Sequence, residues 1–363
     1  MIKRKLLVLM LMAISVLLVG CGASTAVFRG DISHTGQMSS SGPTTLDTLV
    51  WKYRFPDKVY SSPVADGKNV YLGCKDGQVY SFNQTSGRIN WRYRTGANVE
   101  ASVALSDGYV FIGSWDKNFY AIDADTRDVH WKISVGGPIS SSPVVNNGTV
   151  YVGSEDGNMY AIDIETGQEK WRFDARGAIY SSPAIKGELM YFGTLKGMMY
   201  ALNIETGREF WRFPTRNKIH SSPAVDDNNV YFGADDKHIY AVNIRTGQQV
   251  WRKKTAGQIL SSPAITDDLV IFGSKDSYVY AYAKKDGYRE WEYRTKGPVF
   301  SSPVVASGAF YIGSTDSNLY VLNESNGSFM WKYTAEDKIF SSPTVSDGKV
   351  LFNSVNGSLY AVE

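Results

Sequence analysis

Across residues 141–173, short apolar runs alternate with polar positions and stop at turn-forming residues. Residues 141–145 (Ser-Ser-Pro-Val-Val), 149–154 (Thr-Val-Tyr-Val-Gly-Ser), 158–163 (Asn-Met-Tyr-Ala-Ile-Asp) and 169–173 (Glu-Lys-Trp-Arg-Phe) read as four strands. Asn147-Gly148, Asp156-Gly157 and Thr166-Gly167 separate them, and glycine there supplies the positive φ that tight turns need. No stretch carries apolar residues at helical spacing. The predicted element is a small antiparallel sheet of four strands.

That pattern recurs without insertion or deletion. Tryptophans stand at Trp51, Trp91, Trp131, Trp171, Trp211, Trp251, Trp291 and Trp331, and tyrosines at 80, 120, 160, 200, 240, 280, 320 and 360. Ser-Ser-Pro begins at 61, 141, 181, 221, 261, 301 and 341, and the remaining repeat reads Ala101-Ser102-Val103. Glycine stands at 73, 113, 153, 193, 233, 273 and 313, with Asn353 last. A fixed period of 40 residues marks a repeat architecture, and four short antiparallel strands per repeat describe a propeller blade. The last repeat stops after its third strand, whereas residues 49–55 form a tryptophan strand with no repeat before it. The prediction is an all-β, eight-bladed β-propeller of four-stranded antiparallel blades. The N-terminal strand completes the last blade, which removes an exposed edge.

Net charge is +2, and Lys3, Arg4 and Lys5 supply three of the positive charges. The rest is close to neutral and lacks the basic field of a nucleic-acid binder. Two cysteines, Cys21 and Cys74, cannot build a disulfide framework. Cys74 stands where most other repeats carry Ser or Ala and reads as a small strand residue.

Residues 6–19 are apolar apart from Ser15, a run too short for a comfortable transmembrane helix. It ends in Leu18-Val19-Gly20-Cys21, which resembles a bacterial lipobox. The resemblance implies cleavage before Cys21, diacylation of its thiol and acylation of the new amino terminus. The plainer alternative is a secretory signal with an incidental cysteine. The chain divides into a signal peptide (1–20), a lipidated linker and lead-in (21–48) and the propeller (49–363). Gly22 in place of Asp implies the periplasmic face of an outer membrane in a two-membrane host. In a one-membrane host the location is the outer face of the cell membrane.

Residues 161–171, Ala-Ile-Asp-Ile-Glu-Thr-Gly-Gln-Glu-Lys-Trp, resemble the tryptophan-docking motif of pyrroloquinoline-quinone (PQQ)-like propeller repeats. Residues 201–211 and 241–251 match with Asn for Asp, while Arg127 replaces the Gly and Ala283 the Asp in other copies. Residues 29–36, Arg-Gly-Asp-Ile-Ser-His-Thr-Gly, resemble the lead-in of the same superfamily. A lipidated eight-bladed propeller of this size is similar to the outer-membrane assembly lipoprotein (BamB) family. That resemblance implies the barrel-insertion machinery as partner and unfolded barrel proteins as clients.

The repeated residues read as structural. Each column tryptophan is a wedge between neighbouring blades, with an indole N–H that needs a partner. The glycine column is expected to leave room for the facing ring, the tyrosines to pack, and some serine hydroxyls to line the central channel. No base stands beside these serines in a nucleophile arrangement. Four histidines (34, 130, 220, 238) lack metal spacing. The pairs Asp226-Asp227, Asp235-Asp236 and Asp267-Asp268 read as turn formers. Arg29-Gly30-Asp31 is either an adhesion tripeptide or a packed piece of the lead-in.

Function is expected where the columns vary. The loops joining blades and the middle hairpins, at positions 58, 60 and 75 and their 40-residue equivalents, should meet at one channel mouth. Together they predict a binding rim of Tyr60, Lys75, Glu100, Trp115, Glu155, Tyr180, His220, Asp235, Phe300 and Phe340. The alternative is that these side chains merely plug the channel. Blade two departs from its columns at Glu100, Ala101, Val103, Trp115 and Arg127. The leading expectation is a non-catalytic, monomeric envelope scaffold without metal or cofactor. The alternatives are a ligand-binding or sensory ectodomain and a PQQ-dependent dehydrogenase, which would need calcium ligands, a catalytic Asp and, in many such enzymes, an adjacent cysteine pair.

Overall fold

The computed structural model describes residues 26–46 and 48–363; the signal segment and Cys21 lie outside them. Each repeat folds where its turn residues allow. In the third blade, strands Val144–Asn146, Thr149–Gly153, Asn158–Asp163 and Glu169–Asp174 pair antiparallel from the axis outward. Eight such four-stranded sheets are present. In the eighth, Leu49–Arg54 is the outer strand beside Ser358–Val362, with Trp51 opposite Ala361. Thr48 and Glu363 exchange backbone hydrogen bonds just beyond, at 2.9 and 3.0 Å. The ring is thus closed by the N-terminal strand, as the orphan tryptophan strand predicts.

The inner strand starts after Ser-Ser-Pro, not within it. Pro143 has no N–H for the ladder, and the serines bond elsewhere. The second serine of each repeat donates its backbone N–H to the hydroxyl of its counterpart one blade on. The circuit runs Ser62, Ser102, Ser142, Ser182, Ser222, Ser262, Ser302, Ser342 and back to Ser62, at 2.9–3.2 Å. The first serine accepts from the backbone N–H of the column glycine in its own blade, as Ser181 does from Gly193 at 3.1 Å. The hydroxyls expected in the channel wall are therefore engaged within and between blades.

The glycine column has a different neighbour from the one expected. A Cβ on Gly113 would lie 2.1 Å from Ile139, and one on Gly233 2.2 Å from Ile259. These glycines admit the β-branched residue two places before the next Ser-Ser-Pro. The indoles rest instead on the Thr-Gly turn of the following blade, where a Cβ on Gly207 would lie 2.6 Å from Trp171. Their N–H groups donate to the turn carbonyl, Trp211 to Ile244 at 2.8 Å and Trp251 to Lys284 at 2.9 Å. Trp291 Nε1 has no partner among the described residues, and its ring stacks on Phe310. The last blade offers Trp331 no such turn, so Trp331 donates to Pro43 of the lead-in at 3.1 Å.

The tyrosines also do more than pack. Tyr160 donates to Asp156 at 2.7 Å, and the same carboxylate oxygen accepts the backbone N–H of Gly136 at 2.8 Å. The middle hairpin is thereby tied to the loop between blades. Lys196 breaks this aspartate column, and Tyr200 donates to the Ala175 carbonyl instead.

The lead-in crosses the mouth opposite the middle hairpins. Ile32, Ser33, Thr35 and Gly36 accept backbone hydrogen bonds from Ile185, Val225, Ile265 and Val305 at the ends of successive inner strands. Arg29 is buried and donates to the carbonyls of Ser262, Pro263 and His34. Its burial removes the adhesion reading of Arg29-Gly30-Asp31. The Asp31 carboxylate accepts from Ser33 N and Thr35 N at 2.8 and 3.2 Å. His34 is fully buried. Burial, reinforced by the Arg29 charge, pushes its imidazole down to about 3.

Two predictions follow from these contacts. Trp251→Phe should destabilise by about 0.5–1.5 kcal/mol more than Trp291→Phe, because only the first loses an indole hydrogen bond; urea unfolding of both variants measures this. The second concerns acid. The unfolded imidazole takes up its proton near pH 6.5, while folded His34 stays neutral down to about 3. Stability contributed above pH 6.5 is therefore lost as pH falls through that window. His34→Leu should flatten the fall of Tm between pH 6.5 and 3; an unchanged slope would refute the assignment.

Candidate functional site: the open channel mouth

The middle hairpins and the loops between blades are joined by backbone hydrogen bonds. Lys75 N donates to Lys58 O, Trp115 N to Asn98 O, Glu155 N to Pro138 O and Asp235 N to Lys218 O, at 2.9–3.1 Å. This registers the hairpin residue of each blade beside the residue that precedes its serine pair. All ten predicted rim residues stand at this one mouth, each only partly exposed.

Contacts link them in sequence around the axis. Phe300 lies 4.7 Å from Phe340, ring to ring, and Phe340 meets Tyr60 edge-on at 6.2 Å. The Lys75 ammonium lies over the rings of Tyr60 and Trp115 and 3.5 Å from the Glu100 carboxylate. Trp115 Nε1 donates to Ser140 Oγ at 3.1 Å, and Ser140 donates to Glu155 at 2.9 Å. Tyr180 meets His220 edge-on at 6.0 Å, and His220 Nδ1 lies 3.1 Å from Asp235. Lys275 sits over Phe300 and donates to Gln258 at 2.6 Å. Among the described residues no such contact spans Leu260. Ser140, Lys275 and Gln258 all share the predicted columns, at the equivalents of 60, 75 and 58.

Burial sets the electrostatics. It raises the Glu100 carboxyl, against the pull of Lys75 and with the push of Glu155. Tyr180 is pushed up to about 12 by burial and by its hydrogen bond to Glu155. The five departures in blade two separate in space. Glu100 and Trp115 belong to the rim, whereas Ala101 and Val103 are buried. Arg127 takes a φ of 67° in the turn where other repeats place Gly. Cys74 is buried beneath the rim, and burial pushes its thiol up to about 12.

The remaining polar candidates are structural. His130 bonds the Glu165 carbonyl. Asp226 holds the N–H groups of Asn228 and Asn229 and pairs with Lys284 at 3.0 Å. That aspartate lies in a cleft of about 850 Å³ on the opposite face, between blades five and seven. Among the described residues, no three His, Cys, Asp or Glu side chains gather as a metal site. The rim combines carboxylates, ammonium groups and aromatic faces, a composition suited to recognising polypeptide side chains.

Comparison with known proteins gives the lineage. A family model described as the β-propeller of the beta-alanine-activating enzyme matches residues 146–363, and one described as outer membrane protein assembly factor BamB matches residues 44–101. No curated protein matches the sequence significantly. BamB from Moraxella catarrhalis superimposes with a TM-score of 0.76 at 19% identity, over 87% of this chain and 99% of that one. A europium-containing methanol dehydrogenase superimposes with a TM-score of 0.81 at 15% identity, over 94% and 98%. Quinohemoprotein alcohol dehydrogenase from Comamonas testosteroni gives 0.82 at 14%, over 93% and 80%. At such identities the likeness is one of fold. The family match over more than half the chain, together with the repeat motif, identifies the protein as a member of the PQQ-type β-propeller family, in the group typified by the β-propeller of the beta-alanine-activating enzyme.

Proposed function

We propose that the protein is a non-catalytic lipoprotein of the cell envelope that binds other envelope proteins through the rim at this channel mouth. One observation carries this reading. Aromatic and charged side chains, linked by contacts over most of the circumference, surround one mouth, while the chain's own lead-in crosses the other. Half-buried aromatics beside charges are the composition of interaction hot spots. The BamB model match and the BamB structure support a role in outer-membrane barrel assembly, with the assembly machinery as partner. The lipobox-like Leu18-Val19-Gly20-Cys21 supports anchoring by two or more acyl chains, which hold a soluble body stably.

The dehydrogenase neighbours superimpose as well as BamB does and support a second reading. The chemistry of this chain argues against it. A calcium-bound quinone needs a convergent set of oxygen donors. Of the rim carboxylates, Glu100 pairs with Lys75, Glu155 takes the Ser140 hydroxyl and Asp235 meets His220. The residues present do not fit the quinone and its calcium.

The test is affinity capture from crosslinked native membranes, comparing wild type with Glu100→Ala/Trp115→Ala. Barrel-assembly components should be enriched by wild type and lost from the variant, whose Tm should stay within a few degrees. Equal capture by both would remove the rim from the reading. No specific partner, together with a ligand-induced rise in Tm, would replace it with a sensory ectodomain. Quinone- and calcium-dependent dye reduction would establish the enzyme.

A further inference from the structure

We infer that the anchor holds the protein in one orientation, with the sealed mouth toward the lipid and the rim toward the aqueous compartment. The inference rests on the lipid-anchor reading above and adds the direction in which the binding face points. The chain enters the ring at Ala26, which pairs antiparallel with Leu105. Ala26 N donates to Leu105 O at 3.3 Å and Leu105 N to Ala26 O at 2.7 Å. The strand Ala104–Ser106 runs away from the rim and ends at the Asp107-Gly108 turn on the sealed face. Antiparallel pairing directs the N-terminal end of Ala26 toward that same face.

The tether is short. Five residue steps separate Cys21 from Ala26, a span of at most about 18 Å when fully extended. Turning the rim to the membrane would take the tether through the depth of a blade. Its strands of five or six residues span about 17–20 Å before the hairpins are added. Laying the ring on its side is little easier. Three inter-strand spacings, about 14 Å, separate the inner strand at which Ala26 sits from the outer wall. Only the sealed face reaches the lipid without stretching the tether to its limit.

That face is not built to adhere. Its turns mix the exposed Asp107, Asp267 and Asp268 with the exposed Lys68 and Arg127, while Asp227 and Asp347 pair with Lys186 and Lys349, so the face carries no field of one sign to draw it onto anionic headgroups. The tether rather than surface attraction sets the orientation. One consequence follows for partners. A polypeptide that engages Trp115 or Phe340 must approach from the aqueous side. The lead-in lies across the lipid-proximal end of the channel, where Arg29 bonds the Ser262 and Pro263 carbonyls.

The test uses the lipidated full chain in phosphatidylcholine vesicles that contain a nitroxide-headgroup lipid. A fluorophore is attached at Asp267→Cys on the sealed face or at Lys338→Cys on the rim face. Native Cys74 does not compete, because it is buried with its thiol raised to about 12. Quenching at position 267 should exceed that at 338 several-fold. Inserting twenty Gly/Ser residues before Ala26 should bring the two sites close to equality while vesicle binding persists. Equal quenching with the native tether, or stronger quenching at 338, would overturn the orientation while leaving the anchor intact. An intact mass without acyl chains, or unchanged vesicle binding by Cys21→Ser, would overturn the anchor and the orientation with it.

Discussion

A circuit of serine hydrogen bonds at the axis is the constraint on which the ring depends. Each link joins a backbone N–H to the hydroxyl of the equivalent serine one blade on, and the last link returns from Ser342 to Ser62. Such a circuit demands that each blade place its second serine in the same way. The sequence meets that demand by keeping its 40-residue period without one insertion. The column glycines and the valine or isoleucine that each admits set the approach of neighbouring blades one shell further out. The indoles on their turns do so at the periphery. Backbone groups that would otherwise be buried without partners are thereby satisfied.

Periodicity made the fold legible before any coordinates. Columns of Trp, Tyr, Gly and Ser-Ser-Pro reveal blade number, strand order and closure, because each repeat faces an identical neighbour. What the columns do not carry is which repeated residue touches which. The glycine at 113 was assigned to an indole, yet it meets Ile139. Both partners recur with the same period, and one sequence holds no information about their relative phase in space. The Asp column that anchors Tyr160 and its equivalents escaped notice for a related reason. Aspartate beside a turn has a sufficient local explanation, and its link to a loop 20 residues away is a tertiary fact.

The rim was legible as a set of positions and not as a network. Residues 58, 60, 75 and their equivalents vary between columns that repeat. The links between them depend on side-chain reach across blade boundaries, as when Ser140 bridges Trp115 and Glu155. The lead-in was the least legible part. It has no repeat and no apolar period, and its role as a plug follows from backbone groups that meet the inner strands. Arg29 illustrates this: a charged residue in a polar stretch is buried because carbonyls from a blade 233 residues away in sequence surround its guanidinium.

The pairing of Leu49–Arg54 with Ser358–Val362 has a consequence for how the protein is made. The first strand of the ring lacks its partner until almost the whole chain has emerged. Until then, that strand and the carbonyl that Trp331 needs from Pro43 wait for residues at the other end. The largest loop in the molecule therefore closes last, and its entropic cost is met only when the eighth blade is complete. A chain shortened at its C-terminus by even its last strand would keep seven whole blades and still leave both flanking edges unpaired. The architecture thus makes the appearance of Ser358–Val362 the trigger for ring closure.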